Sequence, residues 1–253
     1  MGKKNIKKRK KIRFQGLLIV VLFFYLIFSC LYYLWMKPIK NIEIEGNIYL
    51  KDNYIKDYLD INNVSLLKLN KKEIKNKLLD IDLINQVKIN KNYFGKVTIN
   101  VVEDKILFYN WNNKKIILSS GKEIDYNKNY LGFATLINYV PNDIYKDLVN
   151  KLNGIDTDIL SLVSEIEYSP SYVGEKTVDE NRFLFRMNDG NTVYINTINI
   201  EKLNDYLEIY EAIVSKNGKI TGCLYLDSNS GNNHFNSCEN MEVVEDVGEG
   251  EQN

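Results

Sequence analysis

Ser65-Leu66-Leu67-Lys68 is the one stretch of this 253-residue chain with the types and spacing of a nucleophile motif. In a Ser-x-x-Lys pattern the neighbouring lysine activates the serine, as in penicillin-binding enzymes. The companion motifs of that chemistry fail. Lys176-Thr177 is followed by Val178 rather than glycine, and Ser230-Gly231-Asn232 comes at the wrong end of the chain. In a lysine-rich sequence the pattern arises by chance, and Leu66, Leu67 and Leu69 are expected to pack a core instead. His234, the only histidine, has Asp227 and Ser228 within a few residues. A triad needs a rigid strand-to-turn setting and an oxyanion site, and the Gly/Asn-rich run around His234 offers a flexible surface instead. Glu165 and Glu167 share a strand face, which reads as a solvated face rather than a carboxylate pair. There is no Walker A, GxGxxG or HExxH pattern, and no His/Cys spacing for a metal. No catalytic, cofactor-binding or metal-binding residue is nominated.

The element that must position everything else is residues 16–36, GLLIVVLFFYLIFSCLYYLWM, a charge-free run. As a helix it spans about 31 Å, close to a bilayer's hydrocarbon core of ~30 Å. Before it stand Lys3, Lys4, Lys7, Lys8, Arg9, Lys10, Lys11 and Arg13, with no acid. A basic flank stays on the cytoplasmic side. The expectation is one crossing, a cytoplasmic stub over 1–15 and an exported part over 37–253. A cleaved signal peptide has a shorter apolar run and small residues at its end; this run ends in Tyr32, Tyr33, Leu34 and Trp35. Ile27-Phe28-Ser29-Cys30 fits a lipobox poorly, because Phe28 is bulky and the chain stays apolar beyond Cys30. An uncleaved anchor is the expectation.

The zero net charge conceals an asymmetry. With the basic stub set aside, the exported part is acidic, most strongly beyond residue 105. Clustered lysine or arginine, which nucleic-acid binding requires, is lacking there. Cys30 lies in the apolar run. Cys223 and Cys238 lie outside it, where a disulfide is chemically permitted; two free thiols are the expected state.

Periodicity places a strand over Ile42–Glu45 and a turn at Gly46-Asn47. A helix over 52–59 sets Ile55, Tyr58 and Leu59 on one side. A second over 70–81 is capped by Asn70 and striped by Ile74, Leu78 and Ile81. Val87-Lys88-Ile89, a connection at 92–95, and Val97, Ile99 and Val101 complete a β-α-α-β-β module over 37–104. From 105 to 236 the pattern turns β-rich. A hairpin is expected over 116–125, a helix over 142–152, and strands at Glu165–Tyr168, Arg182–Met187 and Thr192–Ile195. Asp189-Gly190 is the tight turn between the last two. Residues 171–180 read as a loop. A helix follows Asn199 with Ile200, Leu203, Leu207, Tyr210 and Val214 on one face. Lys219, Ile220, Thr221, Gly222, Cys223, Leu224, Tyr225 and Leu226 read as the final strand. It is either internal or an exposed edge; an edge offers unpaired backbone groups to a partner strand. Residues 237–253 are an acidic tail expected to be disordered. The fold class is α+β behind one transmembrane helix.

Several of these segments together resemble the FtsQ/DivIB family of bacterial cell-division proteins. They are Ile42-x-Ile44-x-Gly46-Asn47, Leu83-Ile84-x-x-Val87-x-Ile89 and Val97-x-Ile99-x-Val101-x-Glu103. In the second module they are Ser120-Gly121-Lys122-Glu123-Ile124, Asp189-Gly190-x-x-Val193-Tyr194, Lys202-Leu203 and Gly218-Lys219-Ile220. The chain departs from the family at Asp82 and Phe94, where proline is usual. The resemblance implies a POTRA module followed by a β domain, and a non-enzymatic scaffold at the division septum. It implies binding to bitopic proteins of the FtsL and FtsB/DivIC type, and thereby control of septal peptidoglycan synthesis. It also implies that partners contact the last strand, here Lys219–Leu226, with Tyr225 as the aromatic anchor. No cofactor or small-molecule substrate is implied. POTRA modules also occur in secretion and envelope-assembly factors, but those carry several repeats or a membrane barrel, and neither pattern is present.

Overall fold

The computed structural model describes residues 14–36, 38–39, 41–61, 64–65, 68–92, 95–218, 221–228 and 233–238. Helix α1 (Phe14–Met36) is 23 residues without a charge. It is long and apolar enough to cross a membrane, and Phe14–Tyr33 is unburied by the rest of the chain. It begins two residues before the apolar run proper. The chain then divides into two compact units. One takes in residues up to Gly46, Asp52–Ile81 and Gln86–Val101; the other takes in Asn47–Lys51, Asp82–Asn85 and everything from Val102.

The expected β-α-α-β-β order is present as β1 (Asn41–Glu45), α2 (Asp52–Leu59), α3 (Lys71–Leu79), β2 (Ile84–Lys91) and β3 (Lys96–Glu103). β3 lies between β1 and β2 and runs parallel to β1, with Ile42 opposite Val97 and Ile44 opposite Ile99. Strand alternation buries Ile42, Ile44, Val97, Ile99 and Val101, and the helices add Ile55, Leu59, Ile74 and Leu78. Asn70 caps α3, its Oδ1 accepting from the N–H groups of Lys72 and Glu73 at 3.1 and 3.4 Å. Tyr58, expected on the buried side of α2, is exposed and faces Tyr54 instead. Gly46 ends β1 at φ +81°, and a Cβ there would lie 2.4 Å from the Val101 carbonyl oxygen. Only glycine meets both conditions.

The second unit is built on one nine-stranded sheet. Its strands are β4 (Ile106–Asn110), β5 (Lys115–Leu118), β6 (Glu123–Asp125), β7 (Thr135–Leu136), β8 (Val163–Tyr168), β11 (Arg182–Met187), β12 (Thr192–Asn196), β13 (Cys223–Tyr225) and β14 (His234–Asn236). Their order across the sheet is β14-β13-β12-β11-β8-β7-β4-β5-β6. A separate ribbon pairs β9 (Ser171–Val173) with β10 (Lys176–Asp179). Helices α4 (Asn142–Leu152), α5 (Thr157–Leu160) and α6 (Tyr206–Asn217) complete the unit, the last preceded by a 3-10 helix over Ile200–Asp205. Phe183, Phe185, Ile166, Val193 and Leu224 on one sheet face pack with Leu148, Leu152, Ile200, Leu203 and Tyr206. Lys105 Nζ donates to the carbonyls of Leu152, Asn153 and Ile155 and so closes the end of α4.

Glu103, the last residue of β3, gathers the chain near the start of this unit. Its carboxylate accepts from the N–H groups of Ile48 at 2.9 Å, Tyr49 at 2.6 Å and Leu50 at 3.2 Å. Burial pushes the Glu103 carboxyl up, and these bonds pull it part of the way back.

Four expectations are corrected. Residues 171–180 are a ribbon, not a loop: Tyr172, Val173 and Val178 are exposed, so no alternating burial betrays the strands. The helix after Asn199 starts as a 3-10 helix, whose three-residue turn shifts the phase. Tyr206 is therefore buried, while Leu207, expected on the inner face, is 48% exposed. Cys223 and Cys238 form a disulfide rather than free thiols, their Cα atoms 5.2 Å apart. Finally, the strand expected over Lys219–Leu226 is not the last, and of the two alternatives it is internal. Among its described residues only Cys223–Tyr225 is strand, and β14 covers its outer side. Strands of three residues with no apolar alternation leave too little periodicity to read. The Ser-x-x-Lys leucines Leu66 and Leu67, the stub 1–13, Lys219, Ile220 and the acidic tail beyond Cys238 lie outside the described residues; Leu69 is buried.

Candidate functional site

The face of β11, β12 and β13 opposite the core carries a row of partly exposed aromatic and charged side chains. Tyr194 and Tyr225 are register partners in the parallel β12–β13 pair. Their rings stack at 4.9 Å with planes 1° apart. The Arg182 guanidinium lies 4.2 Å from the centre of the Tyr194 ring, a cation–π contact. Arg182 Nε is also 2.9 Å from Asp227 Oδ2, although its N–H is not aimed at that oxygen. Burial pushes the Tyr225 phenol up, and Tyr194 beside it adds to the shift. Lower on the same face, Arg186 clasps Glu165 at 2.8 Å and Glu167 at 2.9 Å, one nitrogen to each. The two carboxylates thus hold a cation between them rather than standing free as a catalytic pair.

A buried polar chain sets β13 in place. Tyr206 Oη donates to Asp189 Oδ2 at 2.6 Å and accepts from Asn191 Nδ2 at 2.9 Å. Asn191 Oδ1 in turn accepts the Gly222 N–H at 3.0 Å. The β11–β12 turn, α6 and the start of β13 are therefore one hydrogen-bonded unit. Burial, and then the bond to Asp189, raise the Tyr206 phenol far above its ordinary range. On the far side of Tyr225, Leu226 N–H donates to the Tyr194 carbonyl at 2.8 Å. Lys202 Nζ reaches the carbonyls of Leu226 and Ser228 at 3.3 and 3.1 Å. Next to this end, an open groove of about 690 Å³ runs between the β9–β10 ribbon and Asp227, lined by Asp179, Asn196 and Ile198 among others.

β14 flanks β13 on the outside. Tyr225 faces His234, Leu224 faces Phe235 and Cys223 faces Asn236. Phe235 packs against the core, while the Cys223–Cys238 bridge lies at the other end of the strand pair. Gly222 is what admits β14 so closely: a Cβ there would meet the Asn236 carbonyl oxygen at 2.5 Å and the Phe235 ring at 2.8 Å. Sequence reasoning missed β14, although Phe235 and the spacing of the two cysteines were its available signals.

The structure brings Thr221, Gly222, Cys223, Leu224, Tyr225 and Leu226 together along one short stretch, with Leu224 and Leu226 turned into the core and Tyr225 toward the open face. Ser65 Oγ has no hydrogen-bond partner among the described residues, and Lys68 is exposed. His234 is an exposed strand residue rather than a loop residue. No group of His, Cys, Asp and Glu among the described residues is arranged to hold a metal.

Residues 37–104 match the family model described as POTRA domain, FtsQ-type. Over most of the chain, the relatives are bacterial proteins called Cell division protein DivIB. That of Listeria monocytogenes is 27% identical over 224 residues, 85% of this chain and 79% of its own length. That of Bacillus cytotoxicus is 24% identical over 221 residues, 84% of each chain. The chain is thus similar to the FtsQ/DivIB family over most of its length. These similarities support a role in cell division, and α1 fits a single-pass membrane protein. A further FtsQ/DivIB relative comes from Erysipelothrix rhusiopathiae, at 27% identity over 82% of this chain and 77% of its own. Among solved structures, the major extracytoplasmic domain of DivIB from Geobacillus stearothermophilus matches at 23% identity. That match covers 46% of this chain and 98% of that one, with a TM-score of 0.31.

Proposed function

We propose that this chain is a non-enzymatic divisome scaffold. Anchored by α1 with its N-terminus in the cytoplasm, it presents its C-terminal domain outside the membrane at the division septum. There it links bitopic proteins of the FtsL and FtsB/DivIC type and helps control septal peptidoglycan synthesis. The partner surface is the segment Lys219–Leu226, centred on Tyr225. One observation carries this site: Tyr225 lies flat on Tyr194 on the open face of the sheet, partly exposed and rigidly backed. Large aromatic side chains held in one orientation make strong interface anchors because little entropy is lost on binding. β13 has neighbours on both sides, so the partner packs first on this face rather than adding a strand to a free β13 edge. Confinement to the membrane raises the effective concentration of the scaffold toward other single-pass proteins.

The test is co-purification of the full-length protein with candidate bitopic partners from the same cell, together with septal imaging of a fluorescent fusion. Partner retention that survives Tyr225→Asp unchanged sinks the site assignment. Uniform membrane fluorescence in dividing cells sinks the septal role.

A further inference from the structure

The pairing of β14 is a three-residue join at the end of the sheet, and the only one with a covalent fastening among the described residues. β14 is three residues long, pairs with β13 alone, and ends the sheet. A strand pair this short is marginal by itself in water. His234 and Asn236 are exposed, so Phe235 is its one apolar attachment, and that side chain is only partly buried. The Cys223–Cys238 bridge ties the same two strands together. Beneath β14 lies an edge ready to pair: β13 stays fixed from its other side by the bond from Thr192 N–H to the Gly222 carbonyl and by that from Leu226 N–H to the Tyr194 carbonyl. Removing β14 thus uncovers β13 without dismantling it.

We propose that β14 is a removable cover over the β13 edge, fastened by the Cys223–Cys238 disulfide and released by a dithiol reductant, so that an extended partner segment pairs with β13 in its place. This rests on the partner surface proposed above and adds its regulation. The redox step is a two-electron exchange. The dithiol gives up two electrons and two protons and becomes a disulfide, and Cys223 and Cys238 become thiols. The incoming segment is defined by what it replaces. It runs antiparallel to β13, sets an aromatic or branched apolar residue opposite Leu224 where Phe235 now sits, and carries polar residues on either side. Once freed, β14 remains tethered and competes at an effective concentration on the order of millimolar. Reduction therefore permits exchange without abolishing the closed form. Gly222 supplies an independent lever, because a methyl group there collides with the backbone of Asn236.

The experiment uses the full-length chain in nanodiscs, in a Cys30→Ser background so that the remaining cysteines alone respond. Hydrogen exchange of residues 221–238 is compared between the oxidised protein, the dithiothreitol-reduced and alkylated protein, the Cys223→Ser/Cys238→Ser variant and Gly222→Ala. Each form is then tested for retention of a co-expressed FtsB/DivIC-type protein. The expected result is exchange at least about 10-fold faster in 223–225 and 234–236, with β11 and β12 unchanged, and retention raised several-fold. Unchanged exchange after both reduction and Gly222→Ala overturns the cover. Faster exchange with equal or lower retention overturns the pairing of a partner with β13. Retention by no form at all overturns the proposal through the partner surface itself, an outcome distinct from equal retention by every form.

Discussion

Tyr194 and Tyr225 lie ring upon ring, 4.9 Å apart and parallel to within 1°, across two strands that meet only because the chain crosses over between them. α6 and the 3-10 helix fill that crossover, so the pair is built by tertiary structure from residues 31 positions apart in the sequence. Arg182 lies over the ring of Tyr194, so the stack is backed by a cation.

Tyr225→Asp is expected to weaken partner binding by at least roughly 2 kcal/mol, about 30-fold, by placing a charge where an aromatic ring must be buried. Tyr225→Phe keeps the ring and the stack and should bind within a few-fold of the parent. Titration of the purified full-length variants against one bitopic partner checks both.

Tyr206→Phe removes the hydroxyl that joins Asp189 to Asn191 and leaves the Asn191 amide, buried at 1% exposure, short of a partner. A cost of about 1–3 kcal/mol is expected. Denaturant unfolding followed through Trp111, which lies in the same unit, measures it. Because Asn191 also holds Gly222, hydrogen exchange at the start of β13 should quicken as well.

Alkaline stability follows from two phenols. Burial raises Tyr49 from 10.0 to about 12, and Tyr206 shifts in the same direction. Above pH 10 the unfolded chain loses these protons while the folded chain keeps them. The folded state then binds more protons, and stability falls as pH rises. Full stability is expected below pH 10 and a progressive loss above it. Tyr206→Phe, already weaker at neutral pH, should show a flatter decline. Unfolding midpoints measured from pH 8 to 11.5 test the sign.

Glu103→Ala strands the backbone N–H groups of Ile48, Tyr49 and Leu50, which now share one carboxylate. A loss of about 2–4 kcal/mol is expected, given that charge-assisted bonds are worth more than neutral ones. Glu103→Gln retains one acceptor oxygen and should fall between the two. Limited proteolysis near residues 47–51 reads the effect directly.

Gly46→Ala should be among the most damaging single changes in the first unit. It combines a left-handed φ of +81° with a 2.4 Å approach to the Val101 oxygen. A cost of about 3 kcal/mol or more is expected, since backbone strain and a backbone clash act together. Folded yield and thermal midpoint of the full-length variant check it.

Much was legible in the residues themselves. The charge-free run appears as α1, long and apolar enough to cross a membrane. Period-2 and period-3.6 patterns mark β1, α2, α3, β2 and β3 because burial there repeats with the local geometry of strand and helix. Gly46 and Asp189-Gly190 announce turns through backbone freedom that other residues lack. The proposed site was legible only in part. The resemblance pointed to Lys219–Leu226 and to Tyr225, but not to what surrounds them. That β13 is internal, that Cys238 returns to Cys223, and that Arg186 sits between Glu165 and Glu167 depend on pairings between residues far apart in the chain. The same holds for Tyr206 displacing Leu207 from the core, where a 3-10 turn alters the phase of the helix that follows. Periodicity reports the environment of a segment that is long enough to repeat. Neighbours across a sheet are chosen by the packing of the whole unit, and a three-residue strand repeats nothing.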